Sequence, residues 1–147
     1  VLHRVRDRLV GQRTSLMNQI RSILLERGIV VPQGRRSLLD ALAALLSEPD
    51  GGGVGARVRL LLDDMLEQWR ALDERIKSLD DEFAAMARND PAARRLATIP
   101  GIGVMNATAL VAAIGDGATF NRGRDLSAWL GLVPRQATTG GKPKLLG

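Results

Sequence analysis

The 147-residue sequence has no cysteine, and its only histidine is His3. The lack of cysteine excludes disulfides and thiolate metal sites, and one histidine is too few for a histidine-based metal centre or a Ser-His catalytic arrangement, so we expect a packed or surface role for His3. No apolar run reaches membrane-spanning length, and no signal-peptide pattern opens the sequence. We therefore expect a cytoplasmic protein with no membrane partner.

Aromatic residues are also scarce, at 3% of the sequence, with no tyrosine. So few rings leave little surface for stacking unpaired bases, which argues against a dedicated reader of single strands or RNA loops. Trp69 and Trp129 both fall at apolar-face positions of predicted helices, so we predict that both lie in the core. The 45% hydrophobic content is enough for one ordinary core or two small ones.

The net charge of +5 hides a segregation along the chain. Residues 1–36 hold eight arginines against two acidic residues, residues 37–89 hold six basic against eleven acidic residues, and residues 90–147 hold seven basic against three. Basic ends favour nucleic acid through counterion release, and the acidic middle argues against a uniform coat of phosphate contacts. The alternative for Arg4, Arg6 and Arg8 is a solvated helix face.

The first two thirds of the sequence predict an all-α arrangement of long helices. A helix over residues 2–27, capped by Gly28, and a helix over 37–46 precede a break at 49–53. A long helix follows, with apolar residues spaced alternately four and three apart: Val58, Leu62, Met65, Trp69, Leu72, Ile76, Leu79, Phe83 and Met86. This heptad seam indicates a coiled coil or an antiparallel pair with the first helix, within one chain or between chains of a homo-oligomer. The alternative is an amphipathic helix on an ordinary core.

The most informative segment is residues 99–103, Ile-Pro-Gly-Ile-Gly, directly before a small-residue helix that starts at Val104. The two glycines can adopt backbone angles closed to other residues, and they let a nucleic-acid backbone approach the main-chain N–H groups at the helix N-terminus. This pattern predicts a helix-hairpin-helix that binds DNA phosphates without reading bases. We predict that DNA is contacted by Pro100, Gly101, Ile102, Gly103 and Val104. The alternative is a structural turn that binds nothing.

The remaining C-terminal residues predict a short helix near Trp129 and then a basic loop. Arg135, Lys142 and Lys144 add positive charge to this loop and are further predicted DNA contacts. We therefore predict two domains, a helical spacer over residues 1–89 and a helix-hairpin-helix DNA-binding domain over 90–147. The carboxylate pairs of the heptad helix occupy outward positions and predict a solvated face, with no metal site.

Three motifs in this order resemble those of bacterial insertion-sequence transposases of the IS110 type, and especially its IS1111 branch. They are Ile-Pro-Gly-Ile-Gly at 99–103, Phe-x-x-Gly-Arg-Asp-Leu-Ser-Ala-Trp-Leu-Gly-Leu-Val-Pro-Arg-Gln at 120–136, and Thr-Thr-Gly-Gly-Lys at 138–142. The helices before them resemble the coiled-coil spacer of that family. The resemblance implies a transposase that binds double-stranded DNA in the bacterial nucleoid and exchanges strands through a covalent protein–DNA step.

The resemblance also implies where the chemistry lies. In that family an N-terminal RuvC-like domain holds divalent metal, expected to be Mg²⁺, through four acidic residues, and a C-terminal serine attacks DNA; some members use a guide RNA. Val1 already lies beyond the position of that domain, so we expect this chain to bind DNA without cutting it and to hold no cofactor. The loop at 138–142 has no serine, which makes Thr139, and after it Thr138, the candidates for the nucleophile position. The alternative function is a free-standing helix-hairpin-helix module for DNA binding or dimerisation.

Overall fold

The computed structural model describes residues 1–48, 53–132, 135–139 and 142–146. Residues 49–52 of the predicted break at 49–53 and the glycines at 140–141 lie outside them. The described elements are α1 (Leu2–Glu26), α2 (Arg35–Ser47), α3 (Ala56–Asn89), α4 (Pro91–Leu96), α5 (Val104–Ile114), α6 (Gly123–Trp129), β1 (Arg135–Thr139) and β2 (Lys142–Leu146). The predicted all-α class is confirmed, because helical residues make up most of each hydrophobic cluster of the described residues.

The segment predicted as a basic loop is instead an antiparallel strand pair, in which Thr139 lies opposite Lys142 and Arg135 opposite Leu146. The loop prediction was wrong because β-branched threonines favour strands and a Gly-Gly pair directly after them favours a hairpin turn. Pro143 is compatible with this pairing, since both strands of a two-stranded sheet are edge strands.

Helices α1 and α3 form an antiparallel arm. Their direction is set by contacts between the start of α1 and the end of α3: His3 stacks on Phe83, and Arg6 is ion-paired with Asp80. The predicted seam of α3 is buried in this arm, with Trp69 and Leu62 fully inaccessible, whereas Met86 at its end is 42% exposed. The seam therefore has its partner in the same chain, and a homo-oligomer through these residues would have to displace α1.

Helix α2 closes the main core from the side. Leu38, Leu42 and Leu45 are buried against α1 and α3, in one cluster with Ile20 and Trp69. The chain can turn from α1 toward α2 because α1 ends in a Schellman motif. In this motif Gly28 has φ +77°, its N–H donates to Leu25, and the N–H of Ile29 donates to Leu24. The predicted cap at Gly28 is thus confirmed.

A second, smaller cluster joins α3, α4 and α5 and consists of small side chains. Ala87, Ala93 and Ala107 are buried, and Leu96, Ile102 and Val111 pack around them. Alanines at the contact allow the helix backbones to approach closely. The helix break falls at Asp90, next to the predicted domain boundary, but Ala87 comes from α3, so this cluster spans that boundary.

The sole histidine lies at the contact of the arm with α5. The His3 ring stacks on Phe83 with 4.2 Å between ring centroids, and its Nε2 lies 3.4 Å from the hydroxyl of Thr108. Thr108 is buried in α5, and its hydroxyl donates to the carbonyl of Val104 at 2.9 Å. The expected packed role of His3 is therefore what the structure shows, at the contact between the arm and α5.

Trp129 does not lie in the core. It is 55% exposed, with an edge-to-face contact to Phe120 at 5.7 Å between ring centroids, whereas Trp69 is fully buried as predicted. The difference arises because α6 buries none of its residues, so its apolar face has no layer packed over it. None of the described helices is long and apolar enough to cross a bilayer.

Candidate nucleic-acid interface

The glycine hairpin, residues 99–103, connects α4 to α5 through a tight turn. The N–H of Ile99 donates to the carbonyl of Leu96, and that of Ile102 donates to the carbonyl of Ile99 at 3.0 Å. Gly101 has φ +87°, a conformation in which a β-carbon is strained. The predicted need for glycine is therefore confirmed at this position.

At Gly103 only one of the two predicted reasons for glycine applies, the close approach to main-chain N–H groups. Its backbone is extended, with φ −83° and ψ 176°, which any residue can adopt. A β-carbon added there would meet no atom within 4 Å, so neither backbone strain nor crowding inside the protein selects glycine. What glycine provides here is an open approach to the N-terminus of α5.

The N-terminus of α5 is accessible and has no side-chain cap. Gly103 is the N-cap and supplies no hydrogen bond from a side chain, so the N–H groups of the first turn lack the Ser, Thr or Asp oxygen that usually accepts from them. Gly103 and Val104 are exposed. Free donors and the positive end of the helix dipole suit a phosphate oxygen.

The five predicted contact residues of the glycine hairpin do not all face solvent. Pro100, Gly101, Gly103 and Val104 are exposed, whereas Ile102 is half-buried and packs against the alanine cluster. The side chain of Ile102 thus anchors the glycine hairpin to the arm and is less suited to touch a ligand than its exposed neighbours.

Helix α4 brings two further basic side chains to the glycine hairpin. Asp90 caps this helix by accepting from the N–H groups of Ala92 at 2.7 Å and Ala93 at 3.2 Å. The cap orients a short helix on which Arg94 and Arg95 are exposed. They lie in its last turn, just before the glycine hairpin, so the exposed N-terminus of α5 follows closely after two basic side chains.

An apolar groove of about 430 Å³ lies between α5 and α6, and sequence reasoning did not predict it. Its walls are Ile102, Asn106, Ala109, Leu110, Ala113, Trp129, Leu130 and Leu132. The sequence contained one signal, because Trp129 at the end of a short helix is followed at once by Leu130 and Leu132, and seven helical residues cannot bury them all. The exposed indole of Trp129 forms part of the wall of this groove.

The register of the strand pair separates the two candidate threonines. Directly opposed residues share a face of an antiparallel pair and successive residues alternate. Thr139 lies opposite Lys142 and Thr138 opposite Pro143. The register positions of one face are therefore taken by Arg135, Thr139, Lys142 and Lys144, and Thr138 belongs to the other face.

The carboxylates of α3 are not arranged for metal. Asp73 accepts from Arg13 at 2.9 Å and from Arg35 at 2.5 Å, and Asp80 is ion-paired with Arg6. These two acids were predicted on a solvated face, but they are half-buried and hold α1 and α2 to α3. The hydrogen bond that Arg6 donates to Asp80 raises the pKa of Arg6 above its usual value.

Among the residues with described side chains, no three acidic or histidine groups lie close enough to hold a metal ion. The divalent metal implied by the resemblance therefore finds no fitting donor set there, and we derive no chemical step through it.

The described helices thus place a glycine hairpin, an uncapped helix N-terminus and exposed basic side chains in one stretch of the chain, an arrangement that suits an anionic ligand. Residues 93–147 match the family described as the transposase IS116/IS110/IS902 family. Over these residues the chain is similar to this family, and the IS110-type resemblance is confirmed. No solved structure matches the chain.

Individual relatives extend this similarity over the whole chain. The chain is 38% identical to a probable family 20 transposase of Pseudomonas aeruginosa over 98% of its own length and 43% of the relative. It is 36% identical to the transposase for insertion sequence element IS1111A of Coxiella burnetii, over 99% of its length and 40% of the relative. A pilin gene-inverting protein of Moraxella bovis is 34% identical over 56% of the chain and 26% of the relative. The chain thus spans about two fifths of the transposases that it matches.

Proposed function

We propose that this chain is the DNA-handling part of an insertion-sequence transposase that acts by strand exchange on bacterial DNA. The observation that carries the proposal is the exposed, uncapped N-terminus of α5 behind Gly103, flanked by Arg94 and Arg95. Main-chain donors and guanidinium groups bind phosphate without reading base edges, so binding should be independent of sequence. The transposase names of the relatives support DNA as the partner.

Binding can be measured by fluorescence anisotropy on short duplexes of two unrelated sequences over a series of salt concentrations. We expect nearly equal affinities for the two duplexes and a linear fall of log K with log salt. Replacing Lys142 and Lys144 with alanine should weaken both complexes alike and reduce the slope by about 0.9 for each lost phosphate contact. Sequence-selective binding that persists at high salt would contradict the proposal.

Gly103→Ala is expected to weaken DNA binding roughly fivefold, the equivalent of a hydrogen bond worth about 1 kcal/mol. Its β-carbon would stand in the path of a phosphate that approaches the first turn of α5. The thermal unfolding midpoint should stay close to that of the parent chain, because a β-carbon at this position meets no atom within 4 Å.

The matched control for Gly103→Ala is Gly123→Ala, at another exposed glycine with free space around it and no positive φ. We expect this change to leave binding unchanged. Equal affinities of the Gly103 variant and the parent chain would remove the N-terminus of α5 from the proposed interface and leave the glycine hairpin a structural turn.

We propose Thr139, before Thr138, for the nucleophile position in the longer protein. The support is the register, since Thr139 shares a face of the strand pair with Lys142 and Lys144, whose charges would stabilise the phosphate under attack. In that step the threonine oxygen would bond to phosphorus and lose its proton to a base, and the deoxyribose oxygen would leave and take up a proton. The β-methyl group of threonine restricts the rotamers for this attack.

The chain by itself is proposed to bind DNA without cleaving it, because its described side chains form no metal cluster. Incubation with plasmid DNA and Mg²⁺, followed by a denaturing gel, tests this point. We expect no covalent adduct. A covalent adduct would refute the proposal that the chain alone does not cleave DNA. If Thr139→Ala abolishes that adduct and Thr138→Ala preserves it, the result would support Thr139 as the nucleophile.

Guide RNA, self-association and Mg²⁺ for the longer protein remain proposals. A guide RNA should compete for the protein better than random duplex does.

A homo-oligomer would need a face other than the seam of α3, because α1 and α2 already cover that seam. Light scattering at several concentrations tests the oligomeric state. We place the protein with the chromosomal DNA of the bacterial cytoplasm.

A further inference from the structure

Arg4, Arg6 and Arg8 occupy alternate positions near the start of α1, and the structure assigns them to two faces. Arg6 is half-buried against α3 and ion-paired with Asp80. Arg4 and Arg8 are exposed, and neither forms an ion pair within the part of the chain that the structure describes. Asp7 lies between them in sequence but does not pair with either. Residues four apart share a helix face, so the two cations repel each other.

The two exposed arginines lie at the end of the arm that carries the proposed DNA site. His3, the residue before Arg4, approaches the hydroxyl of Thr108 in α5 to 3.4 Å. Thr108 lies one turn beyond Val104, the first residue of α5, and donates to its carbonyl. The start of α1 is therefore close to the helix N-terminus that would bind phosphate.

The two helices of the arm present different charges to solvent. Beyond Arg8 and up to residue 22, the exposed polar side chains of α1 carry no charge: Gln12, Thr14, Ser15, Asn18, Gln19 and Ser22. The exposed face of α3 carries six carboxylates among its basic residues: Asp63, Asp64, Glu67, Glu74, Asp81 and Glu82. A polyanion that follows the arm would meet these carboxylates on α3, whereas on α1 it would meet two arginines with the single carboxylate of Asp7 beside them, and then neutral polar groups.

We propose that Arg4 and Arg8 bind phosphates of the same duplex that the glycine hairpin holds, so that the DNA backbone continues from α5 onto the outer face of α1. The inference rests on the proposed DNA-binding function and adds a second contact region to it. Guanidinium groups suit this role because their planar fork matches two phosphate oxygens. The contact positions the arm along DNA and reads no sequence.

The test is a salt titration of duplex binding by the complete chain carrying Arg4→Gln and Arg8→Gln together. We expect the slope of log K against log salt to decrease in magnitude by about 1.8, and the affinity at low salt to fall about tenfold or more. The matched control carries Arg70→Gln and Arg75→Gln. Both are exposed arginines of α3 that form no ion pair among the described residues. This control should change the slope far less, although it removes the same charge.

An unchanged slope in the Arg4 and Arg8 variant would overturn the inference, as would an equal loss in the α3 control. A loss seen with an RNA hairpin but not with duplex DNA would also overturn it. If the double variant unfolds in a thermal melt, the single variants replace it, each with an expected slope change of about 0.9. Failure of the parent chain to bind duplex DNA would refute the proposed function itself. If Gly103→Ala weakens duplex binding and the Arg4 and Arg8 variant does not, only the contact on α1 is refuted.

Discussion

Replacing Trp69 with alanine is expected to lower the free energy of unfolding by about 3–5 kcal/mol, a large share of the stability of a domain of this size. Trp69 is fully buried at the centre of the main core, where α1, α2 and α3 meet. The surrounding leucines belong to three different helices, so the cavity left by the indole could close only by moving whole helices. Urea unfolding followed by circular dichroism measures the loss.

Two further variants serve as comparisons for the stability loss expected of Trp69→Ala. Trp69→Phe should retain most of the stability, because the indole N–H has no hydrogen-bond partner among the described residues and phenylalanine preserves much of the volume. Trp129→Ala should cost less than about 1 kcal/mol, because Trp129 is 55% exposed. A similar loss at both tryptophans would show that α6 is packed in solution and that the groove beside it is covered.

Ala107→Leu is expected to cost about 1–3 kcal/mol by overpacking the contact between α5 and the arm. Ala107 is fully buried in the cluster with Ala87 and Ala93. These small side chains let the helices approach closely, so three additional carbon atoms must push α5 away. Because the main core contains none of these residues, the arm should remain folded while α4 and α5 detach.

Limited proteolysis identifies this detachment, since new cleavage is expected between residues 90 and 115 before the arm is cut. Ala112→Leu is the matched control, since Ala112 is exposed on the same helix and its substitution should leave stability nearly unchanged. A single cooperative transition at reduced temperature, with no early cleavage, would instead indicate that the two clusters unfold as one unit.

The local elements of the fold were predictable because their signals are local. Alternating four- and three-residue spacing predicts the buried seam of α3, and Gly28 predicts the end of α1. Gly101 needs a positive φ, which is a property of the turn itself. The Gly-Gly after Thr139 is an equally local signal, and it favours the observed strand pair over the predicted loop.

The candidate site was predictable only in part. The glycine hairpin could be located from its motif, but its exposure and the anchoring of Ile102 depend on how α5 packs on α3. The carboxylates of α3 were expected in solvent because their own helix places them outward. Asp73 and Asp80 are instead engaged by arginines of α1 and α2, which are distant in sequence.

The sequence alone therefore determined the helical class, the positions of most helices, the glycine hairpin and the transposase resemblance, because spacing, capping and motifs are properties of short segments. Only the tertiary structure decided that the seam of α3 is filled by α1 of the same chain, that Trp69 is buried and Trp129 is not, and that Arg6 is neutralised while Arg4 and Arg8 stay exposed. These outcomes depend on contacts between residues that are distant in sequence. The free energy of such a contact depends on both segments, so the pattern within one segment cannot predict it.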